Sequence, residues 1–183
     1  MTALLVFLPV LGAPALHAPV LRLDLFRSLK SPLDGGRSWR GRRLLGDNKT
    51  WRGAIFMVGG IVLAALALWQ WPWYRDHLPD PVHDAGPLVL GLLVGLGTVL
   101  GELPNSFFKR RLGVAPGTQR RGLAGALLSL LDQGDLVLGI WVLLAPVYVI
   151  PFAWLVVAFA LVSAIHIAVN LVGYAVGARA APV

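Results

Sequence analysis

The stretch AIFMVGGIVLAALALWQW, residues 54–71, carries no charged side chain and ends on two tryptophans. A helix needs roughly 20 mostly apolar residues to cross the hydrocarbon core of a bilayer. The aromatic cluster Trp69, Trp71, Trp73 and Tyr74 suits the boundary between that core and water. This stretch reads as a helix whose solvent is lipid. Working outward, residues 86–100 form a second apolar run, continued by Gly101-Glu102-Leu103. Residues 136–150 form a third, extending back through residues 123–131 and interrupted by Asp132, Gln133 and Asp135. Residues 152–176 form a fourth. Residues 3–20 form another, broken by Pro9, Pro14 and Pro19. It lacks the basic start of a signal peptide, and a proline would follow the cut, so it reads as a retained first span. The expected fold is all-α, a polytopic membrane protein with five transmembrane helices and two basic cytoplasmic loops, in one domain over residues 1–183.

Composition supports lipid as the solvent. Of 183 residues, 57% are hydrophobic and only 14% charged, too few to cover a soluble domain of this length. The 16 basic residues against 9 acidic ones give a net charge of +7. In a membrane protein that excess reports orientation and an affinity for anionic lipid or a polyphosphate, and nucleic acid is not an expected partner. The chain has no cysteine, which excludes disulfides, iron–sulfur clusters and thiolate zinc. Any metal must then be held by oxygen or imidazole, which favours magnesium-type chemistry.

Fourteen of the 16 basic residues fall in two segments, 22–53 and 104–122, while segment 72–85 has Arg75 against Asp76, Asp80 and Asp84, and Arg179 lies in the tail. With five spans the basic segments share one side, which the positive-inside rule makes cytoplasmic. The N-terminus is then outside and the C-terminus inside, in the cell membrane.

Four stretches carry candidate chemistry. The first basic segment holds Pro32-Leu33-Asp34-Gly35-Gly36 and Gly46-Asp47-Asn48-Lys49-Thr50-Trp51-Arg52-Gly53. A glycine-rich turn beside Lys49, Thr50 and Arg52 supplies donors for phosphate oxygens, although the P-loop spacing is missing. An ordinary positive-inside loop with Asp47 or Asn48 as a helix cap explains the same residues. In the second stretch, Glu102 ends an apolar helix, where a carboxylate is costly without a partner or a cation. Ser106, Lys109 and Arg110 follow at spacings that share a helix face, and snorkelling basic residues at a span end are the alternative. The third stretch places Asp132 and Asp135 three residues apart, pointing the same way on a helix. Their mutual repulsion in a low dielectric calls for a cation, and no lysine or arginine is close in sequence. A divalent metal is the simplest account, and a helix N-terminus that favours anions is the other. Fourth, Ser163, His166, Asn170 and Tyr174 form a polar stripe on the last apolar helix, either a functional wall or interhelical hydrogen bonding.

Taken in order, these motifs resemble the CDP-archaeol synthase family, the archaeal-type branch of the CTP-dependent lipid cytidylyltransferases. The resemblance rests on Pro32–Gly36, Gly46–Gly53, Gly101–Arg111, Leu130–Asp135, and the late His166, Asn170 and Tyr174. It runs over roughly residues 30–180. Where the family usually has Asp, this chain has Glu102. The resemblance implies that CTP and a membrane lipid phosphate react to give a CDP-lipid and pyrophosphate, with Mg²⁺ as cofactor. It further implies Lys109, Asp132 and Asp135 as catalytic residues, with Asp132, Asp135 and Glu102 as metal ligands. Asp34, Asp47, Lys49, Thr50, Arg52, Asn105, Ser106, Arg110, His166 and Asn170 would contact substrate. Two other classes remain open at this point. A CDP-alcohol phosphotransferase would continue Asp34-Gly35 differently, and a non-enzymatic module binding anionic lipid would leave Glu102, Asp132 and Asp135 unexplained.

Overall fold

The computed structural model describes residues 2–115 and 123–175, and within the last two helices the side chains of residues 132 and 134–165. A 3-10 coil, Thr2–Leu11, runs into helix α1, Gly12–Arg22. Helices α2 (Trp51–Trp69), α3 (Pro72–Asp76), α4 (Asp80–Arg111), α5 (Leu123–Leu144) and α6 (Phe152–Ala175) follow. A two-stranded hairpin, β1 (Ser38–Trp39) with β2 (Arg42–Arg43), interrupts the first basic segment.

The chain is a membrane protein. Among the described residues, Thr2–Arg22, Trp51–Trp69 and Asp80–Arg111 are long and apolar enough to cross a bilayer, and Gly134–Leu144 and Phe152–Ile165 are shorter apolar stretches. Large apolar side chains such as Leu63, Val142 and Phe152 lie on the outside, as a lipid solvent requires. The prolines of the first segment do not break it. Pro9 sits in the 3-10 coil, and Pro14 lies in the first turn of α1, where an N–H has little use. Buried Tyr74 ties this segment to the far end of the bundle by donating to the Leu5 carbonyl at 3.2 Å.

Two boundaries differ from the sequence reading. Residues 104–111 were expected in a loop but continue α4, which carries Pro104 within it. The helical register breaks instead at Gly86, whose φ of 82° is open to a residue without a side chain. Asp132, Gln133 and Asp135 do not interrupt α5, which already begins at Leu123. The two carboxylates therefore lie inside a helix, and the anion-favouring N-terminus is not their explanation.

The tightest helix contact is between α4 and α5. A Cβ on Gly139 would fall on the Gly97 carbonyl and the Gly101 Cα, and one on Gly101 would fall on the Asp135 carbonyl. These are backbone collisions that no rotamer relieves. Gly139→Val is expected to lower the thermal unfolding midpoint in detergent, with an overpacking cost of about 1–3 kcal/mol. An unchanged midpoint in a scanning fluorescence measurement would contradict this packing.

Candidate active site

Four-residue steps along α4 align Gly97, Gly101, Asn105 and Lys109 on one face. The glycines let α5 come close, and the polar pair then meets Asp132 and Asp135. The Asn105 Nδ2 donates to Asp132 Oδ1 at 2.6 Å and to Asp135 Oδ2 at 3.2 Å. Lys109 Nζ donates to both oxygens of Asp132. The like-charge pair that looked unrelieved in sequence is thus met across the helix interface by a lysine and an amide. Asp135 also accepts from the Leu136 N–H at 2.6 Å. Asn105 Oδ1 is buried and has no hydrogen-bond partner among the described residues.

Glu102 does not join this group. Its carboxylate pairs with Lys49, which reaches it from the loop before α2. Among the described residues no three histidine or acidic side chains converge as a metal cluster. Of the expected trio, Asp132 and Asp135 share Asn105, while Glu102, three residues before Asn105 on α4, pairs with Lys49.

Two cavities flank α4. A polar one of about 430 Å³ is lined by His17, Lys30, Asp47, Asn48, Lys49, Thr50, Arg52 and Glu102 among others. An apolar groove of about 940 Å³ lies among α4, α5 and α6, with Asn105 and Asp135 at its lining and Phe108, Trp141 and Phe159 along it. Ser106 is buried beside Asn105 and lines neither cavity. Arg110 is also buried, and it donates to the Val114 carbonyl at the end of α4 rather than to the carboxylates.

The first basic segment is folded by its own charges. Asp34 accepts from the Gly36 and Leu45 N–H groups at 2.9 and 3.0 Å and from Arg43 at 2.8 Å. Burial opposes ionisation of Asp34, but hydrogen bonds from Leu45, Arg43 and Gly36 outweigh it and hold the carboxyl at about 2. Arg43 also pairs with Asp47. Arg40 and Gly41, both at positive φ, turn the hairpin tightly. The hairpin seats on α4 through Arg111, which donates to the carbonyls of Trp39, Arg42 and Arg43 and lies over the Trp39 and Phe107 rings. Thr50 caps α2, its Oγ1 accepting from the Gly53 N–H at 3.1 Å. Arg52 is buried and donates to Asp24 and to the Leu25 carbonyl, each at 2.9 Å. Its guanidinium is committed to holding the loop, although its side chain also lines the polar cavity.

The side chains of His166, Asn170 and Tyr174 lie outside the described residues. Ser163, earlier on the same helix, has a buried Oγ with no hydrogen-bond partner among the described residues. Sequence reasoning passed over His17 and Asp24. His17 is a polar residue in an apolar helix, which was a usable signal, whereas nothing near Asp24 in sequence announces Arg52.

Helices sized for a bilayer, with lysine–carboxylate pairs between a polar cavity and an apolar groove, define the class: an intramembrane protein with a charged centre of enzyme type. The family model CarS-like: CDP-archaeol synthase matches residues 25–182. The CDP-archaeol synthase of Halobacterium salinarum (strain ATCC 29341 / DSM 671 / R1) is 36% identical over 155 residues, 82% of each chain. That of Methanosphaerula palustris (strain ATCC BAA-1556 / DSM 19958 / E1-9c) is 36% identical over 168 residues, 83% of this chain and 89% of the relative. A solved structure of an intramembrane enzyme for archaeal membrane lipids biosynthesis superposes with a TM-score of 0.67, at 28% identity and 92% coverage of both chains. The chain belongs to the CarS-like CDP-archaeol synthase family. Neither the phosphotransferase nor the simple lipid-binding reading accounts for that match.

The Asp34 tether has a defined pH range. Its folded value lies below that of a free carboxylate, so its contribution is complete above about pH 4 and is lost as pH falls toward 2. Asp34→Asn is expected to speed amide exchange at Leu45 at neutral pH, read by hydrogen–deuterium exchange of segment 34–47. Wild-type protection, corrected for intrinsic rates, should hold from pH 8 to 4.

Proposed function

We propose that the chain is a CTP-dependent cytidylyltransferase that converts a membrane lipid phosphate into a CDP-lipid with release of pyrophosphate. It would act at the cytoplasmic face of the cell membrane, with the N-terminus outside and the C-terminus inside. One observation carries the reading. Glu102 and Asn105, one helical turn apart on α4, line the polar cavity of about 430 Å³ and the apolar groove of about 940 Å³ respectively. A nucleotide polyphosphate in the first and lipid chains in the second bring the two substrates together at α4.

Magnesium fits the residues present. Asp132 and Asp135 offer hard oxygens, and Asn105 adds a buried oxygen that has no donor among the described residues. A flip of the Asn105 amide exchanges its ends and turns that oxygen toward both carboxylates, an arrangement suited to a cation. When bound, Mg²⁺ would neutralise phosphate charge as a Lewis acid. Glu102 is a further acidic group in the polar cavity, where it balances Lys49.

The remaining work is positioning and charge neutralisation. A lipid phosphate oxygen forms a bond to the α-phosphorus of CTP as the bond to the β-phosphate oxygen breaks. No side chain need remove a proton, since a phosphate monoester is largely dianionic near neutral pH. Lys109 moves its ammonium from Asp132 to phosphate oxygens, and Lys49 and Thr50 hold phosphate in the polar cavity. Asp47 and Asn48 close one wall, and Asp34, Arg52 and Arg110 keep the surrounding backbone in place. Ser106 packs beside Asn105 and supports it. His166 and Asn170 would add polar contacts from the last helix.

Purified protein in mixed micelles with radiolabelled CTP and Mg²⁺ should yield a CDP-lipid from geranylgeranylglyceryl phosphate, from phosphatidate, or from both. No product with either acceptor would remove the enzyme reading. Asp132→Ala and Lys109→Ala are expected to lower kcat by about a hundredfold or more, as loss of a preorganised electrostatic contact does. Chelation with EDTA should stop turnover, and added Mg²⁺ should restore it.

A further inference from the structure

Helix α1 lies outside the segment that the family model covers, yet it forms one wall of the polar cavity through His17. We propose that His17 is a substrate-contacting residue that donates a hydrogen bond to a phosphate oxygen in this cavity, beside Lys49 and Thr50. The inference rests on the reading of the cavity as a phosphate site.

The position of His17 is imposed by packing. Gly12 and Gly60 meet backbone to backbone, so close that a Cβ on either would collide with the carbonyl of the other. Leu16 fills the space over Gly59 and Gly60. From there the two helices run in opposite directions, and His17 arrives over Gly53. Its Nε2 is 3.6 Å from where a Gly53 Cβ would stand, and Thr50 Oγ1 is 3.4 Å from the same point. The imidazole and the Thr50 hydroxyl thus flank one edge of the cavity.

The His17 imidazole makes no hydrogen bond among the described residues, while the neighbouring cations are paired. Lys49 pairs with Glu102, Arg52 with Asp24, and Lys30 also with Asp24 at 2.5 Å. A half-buried imidazole in an apolar helix is costly when its N–H has no acceptor. Lys30, Lys49 and Arg52 outnumber Asp47 and Glu102 in the cavity lining, which favours an anionic acceptor, and a phosphate oxygen accepts from a neutral imidazole as well as from a charged one.

The phosphate can belong to CTP or to the lipid head group, and steady-state kinetics separates them. The full-length protein and its His17→Ala and His17→Gln variants would be titrated with CTP at saturating lipid phosphate, then with lipid phosphate at saturating CTP. His17→Ala is expected to raise one of the two KM values about tenfold with kcat within about threefold, the signature of a lost binding contact. A rise for CTP assigns the contact to the nucleotide, and a rise for the lipid assigns it to the head group. His17→Gln, which keeps an N–H donor, should recover most of the loss. Unchanged KM values for both substrates would overturn the proposal, as would equal defects in both variants accompanied by a lowered unfolding midpoint. Wild-type protein that makes no CDP-lipid would instead overturn the function proposed above.

Discussion

The charged centre depends on how closely α4 and α5 approach. Gly97, Gly101 and Gly139 remove every side chain from the crossing, so the two backbones touch. Only at that separation can the amide of Asn105 reach both aspartates and Lys109 reach Asp132. Two carboxylates a turn apart in a low-dielectric setting repel one another, and the opposite helix supplies what offsets that repulsion. Paired charges in such a setting return little net stability, because desolvation cancels most of the attraction. A lysine held this way can change partners at modest cost, which suits a site where phosphates arrive and leave.

The same balance shapes the first basic segment. Its three acidic residues each pair with basic residues of the same segment. Asp34 gathers Gly36, Leu45 and Arg43, Asp24 gathers Arg27, Lys30 and Arg52, and Arg111 clamps the hairpin to α4. Hydrogen bonds from Lys30 and Arg52 hold Asp24 at about 2, as those to Asp34 hold its carboxyl. A segment that would otherwise be a repelling run of arginines becomes an ordered cover over the polar cavity. Its basic count thus overstates the charge that faces substrate.

Helix α4 is both divider and bridge. One side carries Glu102 into the polar cavity, and the next turn carries Asn105 to the apolar groove. The groove opens among helices whose outer faces are apolar, and it reaches the charged centre through Asn105 and Asp135. The polar cavity is walled partly by α1, a helix beyond the matched family segment.

Residues 54–71 by themselves determined that this is a membrane protein, because a long uncharged run has only one favourable solvent. The order of the motifs also determined the family, since residue types at fixed spacing are visible without coordinates. The charge asymmetry marked which segments belong together. Tertiary structure alone decided the pairing. Asp132 has no basic residue near it along the chain, and its lysine comes from another helix. Glu102 was grouped with the aspartates by chemistry, and its ion-pair partner Lys49 comes from the loop before α2. His17 carried a local signal, a polar residue among apolar ones, but its place beside Thr50 follows from Gly12 meeting Gly60. Hydropathy and motif spacing are local properties, whereas the partner of a charge depends on which helices touch, and glycines far from it in sequence settle that.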